Sequence, residues 1–272
     1  MEERPGWSAG DIDLDRPNAA RVYDFYLGGS HNFAVDRRMA EQAIADWPDL
    51  PTIIGSNRSF LRRAVRFLTE AGIRQFLDLG SGIPTVGNVH EVAQRSCPDA
   101  RVAYVDIDPV AVAHSRLILA GNPQAAAVRA DLRQPAQLLA DAEVSRVLDF
   151  SQPVAVLMVA VLHFVPDADD PAGIIAQYRD AIAPGSYLVL SHATQDGQPE
   201  QAAPHQALYN RTATPMTMRS LDEVTKLLDG FDVVDPGVVR LPLWRPDPGS
   251  EIPDRPDRFA GYAAVGRLDR TP

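Results

Sequence analysis

The stretch from Arg74 to Gly87, Arg74-Gln-Phe-Leu-Asp78-Leu-Gly80-Ser-Gly82-Ile-Pro84-Thr-Val-Gly87, limits the possible folds more than any other. An apolar run, Phe76 to Leu79, ends in Gly-x-Gly, and Pro84 and Thr85 then suit the first turn of a helix. The expected unit is a strand, a tight turn and a helix. Its glycines admit positive φ and close approach by a ligand, while the free N–H groups of a helix start attract anionic or polar groups.

Downstream, strands and helices alternate. Strands are expected at about 74–79, 101–106, 126–130, 153–161 and 186–191, with helices at 85–96, 109–120, 135–149 in pieces, 171–182, 203–211 and 220–229. Such alternation builds a parallel sheet with helices on both faces. Residues 231–241 and 261–268 then read as strands with no helix between them, which predicts an antiparallel C-terminal hairpin. The fold class is therefore α/β: a Rossmann-like, seven-stranded, mostly parallel sheet. Upstream, helices are expected at 15–27, capped by Asp15, at 34–47 and at 53–71. The chain thus divides into a flexible lead (1–14), a helical N-terminal cover (15–72) and a nucleoside-binding domain (73–272).

In sheets of this kind, ligands sit at the carboxyl ends of the strands. Asp78 precedes the Gly80-x-Gly82 turn, Asp106 ends the second strand and Asp131 follows the third. One carboxylate has two acceptor oxygens, so Asp106 suits a ribose diol. Asp131 suits an exocyclic amine such as that of adenine, with Ile107 and Leu132 as apolar neighbours. Asp108, before Pro109, reads as a helix cap. His163 and His192, after the fourth and fifth strands, are candidates near a reacting group, His163 as general base or as an orienting residue. Tyr23, Tyr26, His31 and Asn32 of the cover, with His192, are candidates to meet a second ligand, and Arg58 at the start of the third helix is a candidate to pair with a carboxylate of the first.

Composition removes other chemistries. Lys226 is the only lysine among 272 residues, so Schiff-base catalysis and a lysine-containing phosphate loop have no candidate. With Cys97 as the only cysteine there is no internal disulfide or cysteine zinc cluster, and the six histidines show no ligand spacing, so no metal is expected. A net charge of −10 disfavours nucleic acid as a partner. The N-terminus has no secretory pattern and no run approaches roughly 18 apolar residues, so neither export nor membrane insertion is expected. A cytoplasmic monomer or homodimer acting on a small molecule fits these features.

The order Asp78-x-Gly80-x-Gly82, Asp106, Asp131 and closing hairpin resembles class I S-adenosylmethionine-dependent methyltransferases. More narrowly, Arg21-Val-Tyr-Asp-Phe-Tyr-Leu-Gly-Gly-Ser-His-Asn-Phe, Asn57-Arg-Ser-Phe-Leu, Gly87-Asn-Val-His-Glu-Val-Ala and Val159-Ala-Val-Leu-His-Phe-Val-Pro resemble a methyltransferase family of high-GC Gram-positive bacteria with no settled substrate. The resemblance implies S-adenosyl-L-methionine as cofactor, with Gly80 and Gly82 against its methionine part, Asp106 on the ribose, and Asp131 and Leu132 at the adenine. It also implies methyl transfer to a small acceptor by in-line displacement. Pro84 stands where many of the broader superfamily have a third glycine. The alternatives are an NAD(P)-dependent oxidoreductase, because Gly80-x-Gly82 with Asp106 approximates a dinucleotide fingerprint, and a non-catalytic module that binds the cofactor.

Overall fold

The computed structural model describes residues 13–84 and 87–269; most of the expected lead, and Thr85 at the expected helix start, lie outside these residues. Eight strands form one sheet in the order β3-β2-β1-β4-β5-β8-β6, with β7 also paired to β8. They are β1 Gln75–Leu79, β2 Arg101–Asp106, β3 Ala125–Arg129, β4 Ala155–Val159, β5 Tyr187–Ala193, β6 Asp232–Val233, β7 Val239–Arg240 and β8 Gly261–Arg267. The first five run parallel and β8 runs antiparallel to β5. The chain order reverses between β1 and β4, which opens a crevice at the carboxyl ends of those strands.

Strand side chains alternate between two buried layers, as a pleated strand requires. On one face, Phe76, Val102, Tyr104, Leu157 and Val189 pack with Phe60, Leu61, Ala64, Val65 and Leu68 of α3 (Leu50–Glu70) and with Val89 and Val92 of α4 (Val89–Ser96). On the other, Leu77, Leu79, Val105, Met158 and Leu190 meet α6 (Pro135–Leu139), α7 (Ala142–Val147) and α8 (Pro171–Ala181). A fully buried side chain such as Phe60 or Leu68 contributes roughly 1.5–3 kcal/mol. The N-terminal helices, α1 (Ala19–Tyr26), α2 (Ala34–Asp46) and α3, share the first layer with the sheet.

Several boundaries differ from expectation. Helix α1 is capped by Asn18, whose Oδ1 accepts the Ala20 N–H at 2.8 Å, whereas Asp15 lies in a turn where Asp13 takes the backbone N–H groups. Pro51 stands in the first turn of α3, so that helix begins at Leu50. Helix α4 begins at Val89, not near Pro84: Gly87 has φ +79°, and Glu91 Oε2 accepts the N–H groups of Gly87 and Asn88 at 2.8 and 3.0 Å. Pro236, which has no N–H, and Gly237 at φ +89° split the expected 231–241 strand into β6 and β7. Both pieces pair antiparallel with β8, hence eight strands instead of seven. The remaining helices are α5 (Pro109–Ile118), α9 (Pro199–Tyr209) and α10 (Leu221–Lys226). Among the described residues, no helix is long and apolar enough to cross a membrane.

Candidate functional site

At the end of β1 the chain turns through Gly80, φ +69°, and Gly82, φ +67°. A Cβ on Gly80 would stand 2.2 Å from Val161 Cγ2, so a larger residue there meets both strain and a clash. The turn is tied to β2: Gly80 and Ser81 donate to the Val105 carbonyl, and Gly82 donates to Asp106 Oδ2 at 2.7 Å. Asp106 Oδ1 accepts the Asp108 N–H at 2.8 Å. Each Asp106 oxygen thus retains capacity for a further donor. Asp108 caps α5 through its bonds to Val110 and Ala111.

The glycine turn and Asp106 line a cavity of about 300 Å³, at the lower end of the roughly 300–1,000 Å³ typical of small-molecule sites. Its wall includes Asp78, Gly80, Gly82, Asp106, Ile107, Asp131, Leu132 and Arg58, so the fold brings the expected cofactor residues to one cavity, and Tyr23, expected on the acceptor side, also lines it. Burial pushes the Asp78 carboxyl up to about 7, against the pull of the Arg58 charge, and nearby Asp106 adds to the rise. Burial likewise lifts Asp106 to about 6, although the N–H groups of Asp108 and Gly82 oppose it. Asp78 is 6% exposed, and in the half-buried Arg58 the Nη2 donates to the Gly87 carbonyl at 3.4 Å while the buried Nε has no partner among the described residues. Asp131 sits at the rim, bound by Arg133 at 2.7 Å, and Arg133 also holds Asp169. Partial burial alone would raise its carboxyl, but the hydrogen bonds from Arg133 outweigh it and leave it below the ordinary value.

A second cavity, of about 80 Å³, adjoins the first and shares Ala19, Tyr23, Asn57, Ala160 and Phe164 with it. Tyr26, His163 and His192 line it, together with Trp47, His205 and Tyr209. Burial drives His163 well below its usual range, and His192 and Arg219 reinforce the shift. His192 and His205 are each lowered to about 4, chiefly by burial. Hydrogen-bond partners assign the tautomers. Arg219 Nη1 lies 2.8 Å from His192 Nε2, which must therefore accept, and His192 Nδ1 donates to the Ala193 carbonyl at 2.7 Å. Both His192 nitrogens are thus committed. His163 Nδ1 accepts the Ala193 N–H at 3.4 Å, which leaves the ring proton on Nε2. His31 and Asn32 line neither cavity. The His31 ring packs on His114, with centroids 3.9 Å apart, and Asn32 donates to Asp24 at 2.7 Å.

Sequence reading passed over Trp47, Tyr209 and Ser191, and it treated His205 only as one of six scattered histidines. No motif marks them, because they reach one place from the end of α2, from α9 and from β5. Among the described residues, no three His, Cys, Asp or Glu side chains group so as to hold a metal ion.

Comparison with known proteins adds to this geometry. A family model described as S-adenosyl methyltransferase matches residues 5–269. A crystal structure of a candidate methyltransferase from Thermobifida fusca is 42% identical, with TM-score 0.90, over 97% of this chain and 100% of that one. A DUF574 family protein from Streptomyces avermitilis is 38% identical, with TM-score 0.90, over 94% of this chain and 98% of that one. An O-methyltransferase family protein from Burkholderia thailandensis, 12% identical with TM-score 0.53 over 96% of this chain and 66% of that one, shares the fold alone. No curated protein matches the chain.

Proposed function

Because the chain belongs to the S-adenosyl methyltransferase family and is an S-adenosylmethionine-dependent enzyme, we propose that the larger cavity holds the cofactor and that the methyl group passes to a small molecule in the adjoining cavity. The observation that carries this reading is the pair Asp78 and Arg58 on one cavity wall: a buried carboxylate whose charge is disfavoured by desolvation, and a guanidinium whose buried Nε has no partner among the described residues. An amino-acid end group, with one ammonium and one carboxylate, satisfies both. Asp78 then takes the ammonium and Arg58 the carboxylate. Asp106 uses its remaining lone pairs for the ribose hydroxyls, and Ile107 and Leu132 flank the adenine beside Asp131.

When bound, S-adenosylmethionine supplies an activated sulfonium methyl for in-line displacement. The protein's part is alignment. Gly80 and Gly82 let the backbone approach the methionine part. His163 in its Nε2–H tautomer orients the acceptor as a donor; as a base it would need the opposite tautomer, which sets its Nδ1–H against the Ala193 N–H. His192, already bonded through both nitrogens, fixes the wall behind it. The family match over residues 5–269 favours S-adenosylmethionine over a nicotinamide cofactor.

Isothermal titration with S-adenosylhomocysteine tests the assignment. Micromolar binding is expected, weakened in Asp106→Ala by about 1–3 kcal/mol, the scale for unpairing a buried polar partner. A folded wild type that does not bind would refute it.

A further inference from the structure

The smaller cavity has a polar inventory that restricts what it can receive. Trp47 is 3% exposed and its Nε1 has no hydrogen-bond partner among the described residues; His205 is 8% exposed and its Nδ1 is in the same condition. The two rings meet edge to face with centroids 5.6 Å apart, so both orphan groups lie on one stretch of wall. A buried polar atom without a partner costs about 1–3 kcal/mol, which makes such a pair a sign of a missing group. At the opposite end, by the cofactor cavity, a directed chain of bonds ends on Tyr23. The Ala160 N–H donates to Ser191 Oγ at 2.9 Å, Ser191 Oγ to Asn57 Oδ1 at 2.6 Å, and Asn57 Nδ2 to the Tyr23 hydroxyl at 2.8 Å. The tyrosine oxygen is an acceptor in that chain, so its own proton is available to a ligand at the junction.

The groups offered are mainly donors: the indole N–H, which can only donate, the His163 Nε2–H and the Tyr23 O–H, with the unpartnered Tyr26 hydroxyl and the His205 Nδ1 able to donate or accept. A ligand must meet them with acceptor atoms. Charge is excluded by the same wall. The Arg219 guanidinium, beside His192, is spent on Asp167, on the carbonyls of Leu162 and Val165, and on His192, and that of Arg58, on the wall of the larger cavity, is assigned to the cofactor. A carboxylate placed here would be buried without a counter-charge, and an ammonium would face donors. The remaining wall is apolar, aromatic at Tyr26, Phe164 and Tyr209 and aliphatic at Leu50, Ile53 and Met216. At about 80 Å³, and with roughly 10–15 Å³ of such volume per water-sized group, the space suits one ring with small substituents.

We propose that this cavity is the methyl-acceptor subsite and that it selects a flat, uncharged, single-ring aromatic molecule bearing oxo, hydroxyl or ring-nitrogen acceptors, anchored at Trp47 and His205 and presented to the methyl group beside Tyr23. The proposal rests on the larger cavity being the cofactor site, and the test separates the two. With S-adenosylhomocysteine saturating, binding of acetophenone, benzoate and phenyltrimethylammonium is compared by saturation-transfer NMR titration. Acetophenone is expected to bind at least tenfold more tightly than either ion, and Trp47→Phe to weaken it at least tenfold while S-adenosylhomocysteine affinity holds. Equal or tighter binding of benzoate or phenyltrimethylammonium, binding of none of the three, or an unaffected Trp47→Phe would each overturn the proposal. If Trp47→Phe loses S-adenosylhomocysteine as well, His205→Gln takes its place with the same expectation. A wild type that fails to bind S-adenosylhomocysteine refutes the cofactor assignment instead.

Discussion

The two cavities share five wall residues, yet burial acts on a different kind of group in each. In the larger one it acts on acids, raising Asp78 to about 7 and Asp106 to about 6. In the smaller one it acts on bases, holding His163, His192 and His205 neutral at physiological pH. The acids retain a use for their charge, because a bound ammonium would repay the desolvation of Asp78. The histidines do not, since His192 is closed at both nitrogens and His163 faces an N–H donor. On the proposed assignment one region is prepared for a charged ligand and the other for a neutral one, with the methyl group crossing the border between them.

The strongest way to break this contrast is Asp78→Asn. Loss of the only carboxylate assigned to the ammonium is expected to weaken S-adenosylhomocysteine by about 2–4 kcal/mol in a calorimetric titration, the scale for truncating one partner of a buried charged pair. The same change removes a desolvated carboxylate from the free protein, so its melting temperature at pH 8 should rise above wild type. Binding and stability then move in opposite directions, as strained functional groups predict. A variant that binds normally would show that Asp78 is a structural acid and that the larger cavity is not prepared for charge.

A smaller effect, of up to about tenfold in affinity per pH unit, is expected on titrating below pH 7. Ionised Asp78 is the binding form, so S-adenosylhomocysteine affinity should rise as pH increases through about 6 to 7 and level off above. Because Asp78 and Asp106 interact, the midpoint belongs to the pair. In the free protein the sign reverses. Between the unfolded value near 3.8 and the folded value of about 7, the native state holds more protons at Asp78 than the unfolded chain does, so this group's contribution to stability is lost as pH rises through that window. The buried histidines push the other way. Their folded values lie below 6.5, so between about 4 and 6.5 the unfolded chain binds more protons and stability rises with pH. The difference between the wild-type and Asp78→Asn stability curves therefore isolates the acid, where the wild-type curve mixes both regions. A difference curve flat from pH 4 to 7 would sink the assignment.

The two regions were also unequally legible in the sequence. Strand ends in a parallel sheet follow from alternation of apolar runs and turn residues, so the sequence alone puts Asp78, Asp106 and Asp131 at one edge, and the cavity lines up with all three. Local rules failed where short-range competition decides: Asn18 in place of Asp15 as cap, the Glu91 carboxylate fixing the start of α4 after Gly87, and Pro236 with Gly237 breaking the expected 231–241 strand. The smaller cavity was not legible in this way. Trp47 ends one helix, His205 and Tyr209 share another more than 150 positions away, and His192 ends a strand. Their meeting depends on how α2 and α9 pack, which no periodicity encodes. Likewise His31 and Asn32 looked like ligand groups because they are polar and follow a helix, but Asp24 draws both back into their own loop.

The border itself offers the smallest and most discriminating test. Tyr23 touches both cavities, and its hydroxyl accepts from Asn57, which Ser191 holds in turn. In Tyr23→Phe the ring remains and the Asn57 amide loses its acceptor, so the free protein should lose about 1 kcal/mol in denaturant unfolding. If the hydroxyl proton serves the acceptor side, S-adenosylhomocysteine affinity should change by less than about 0.5 kcal/mol, the level of a substitution that leaves the bound contacts intact, while acetophenone binding weakens measurably. Should the cofactor analogue instead weaken as much as in Asp78→Asn, Tyr23 belongs with the charged region, and the neutral region begins one residue deeper, at Asn57 and Phe164.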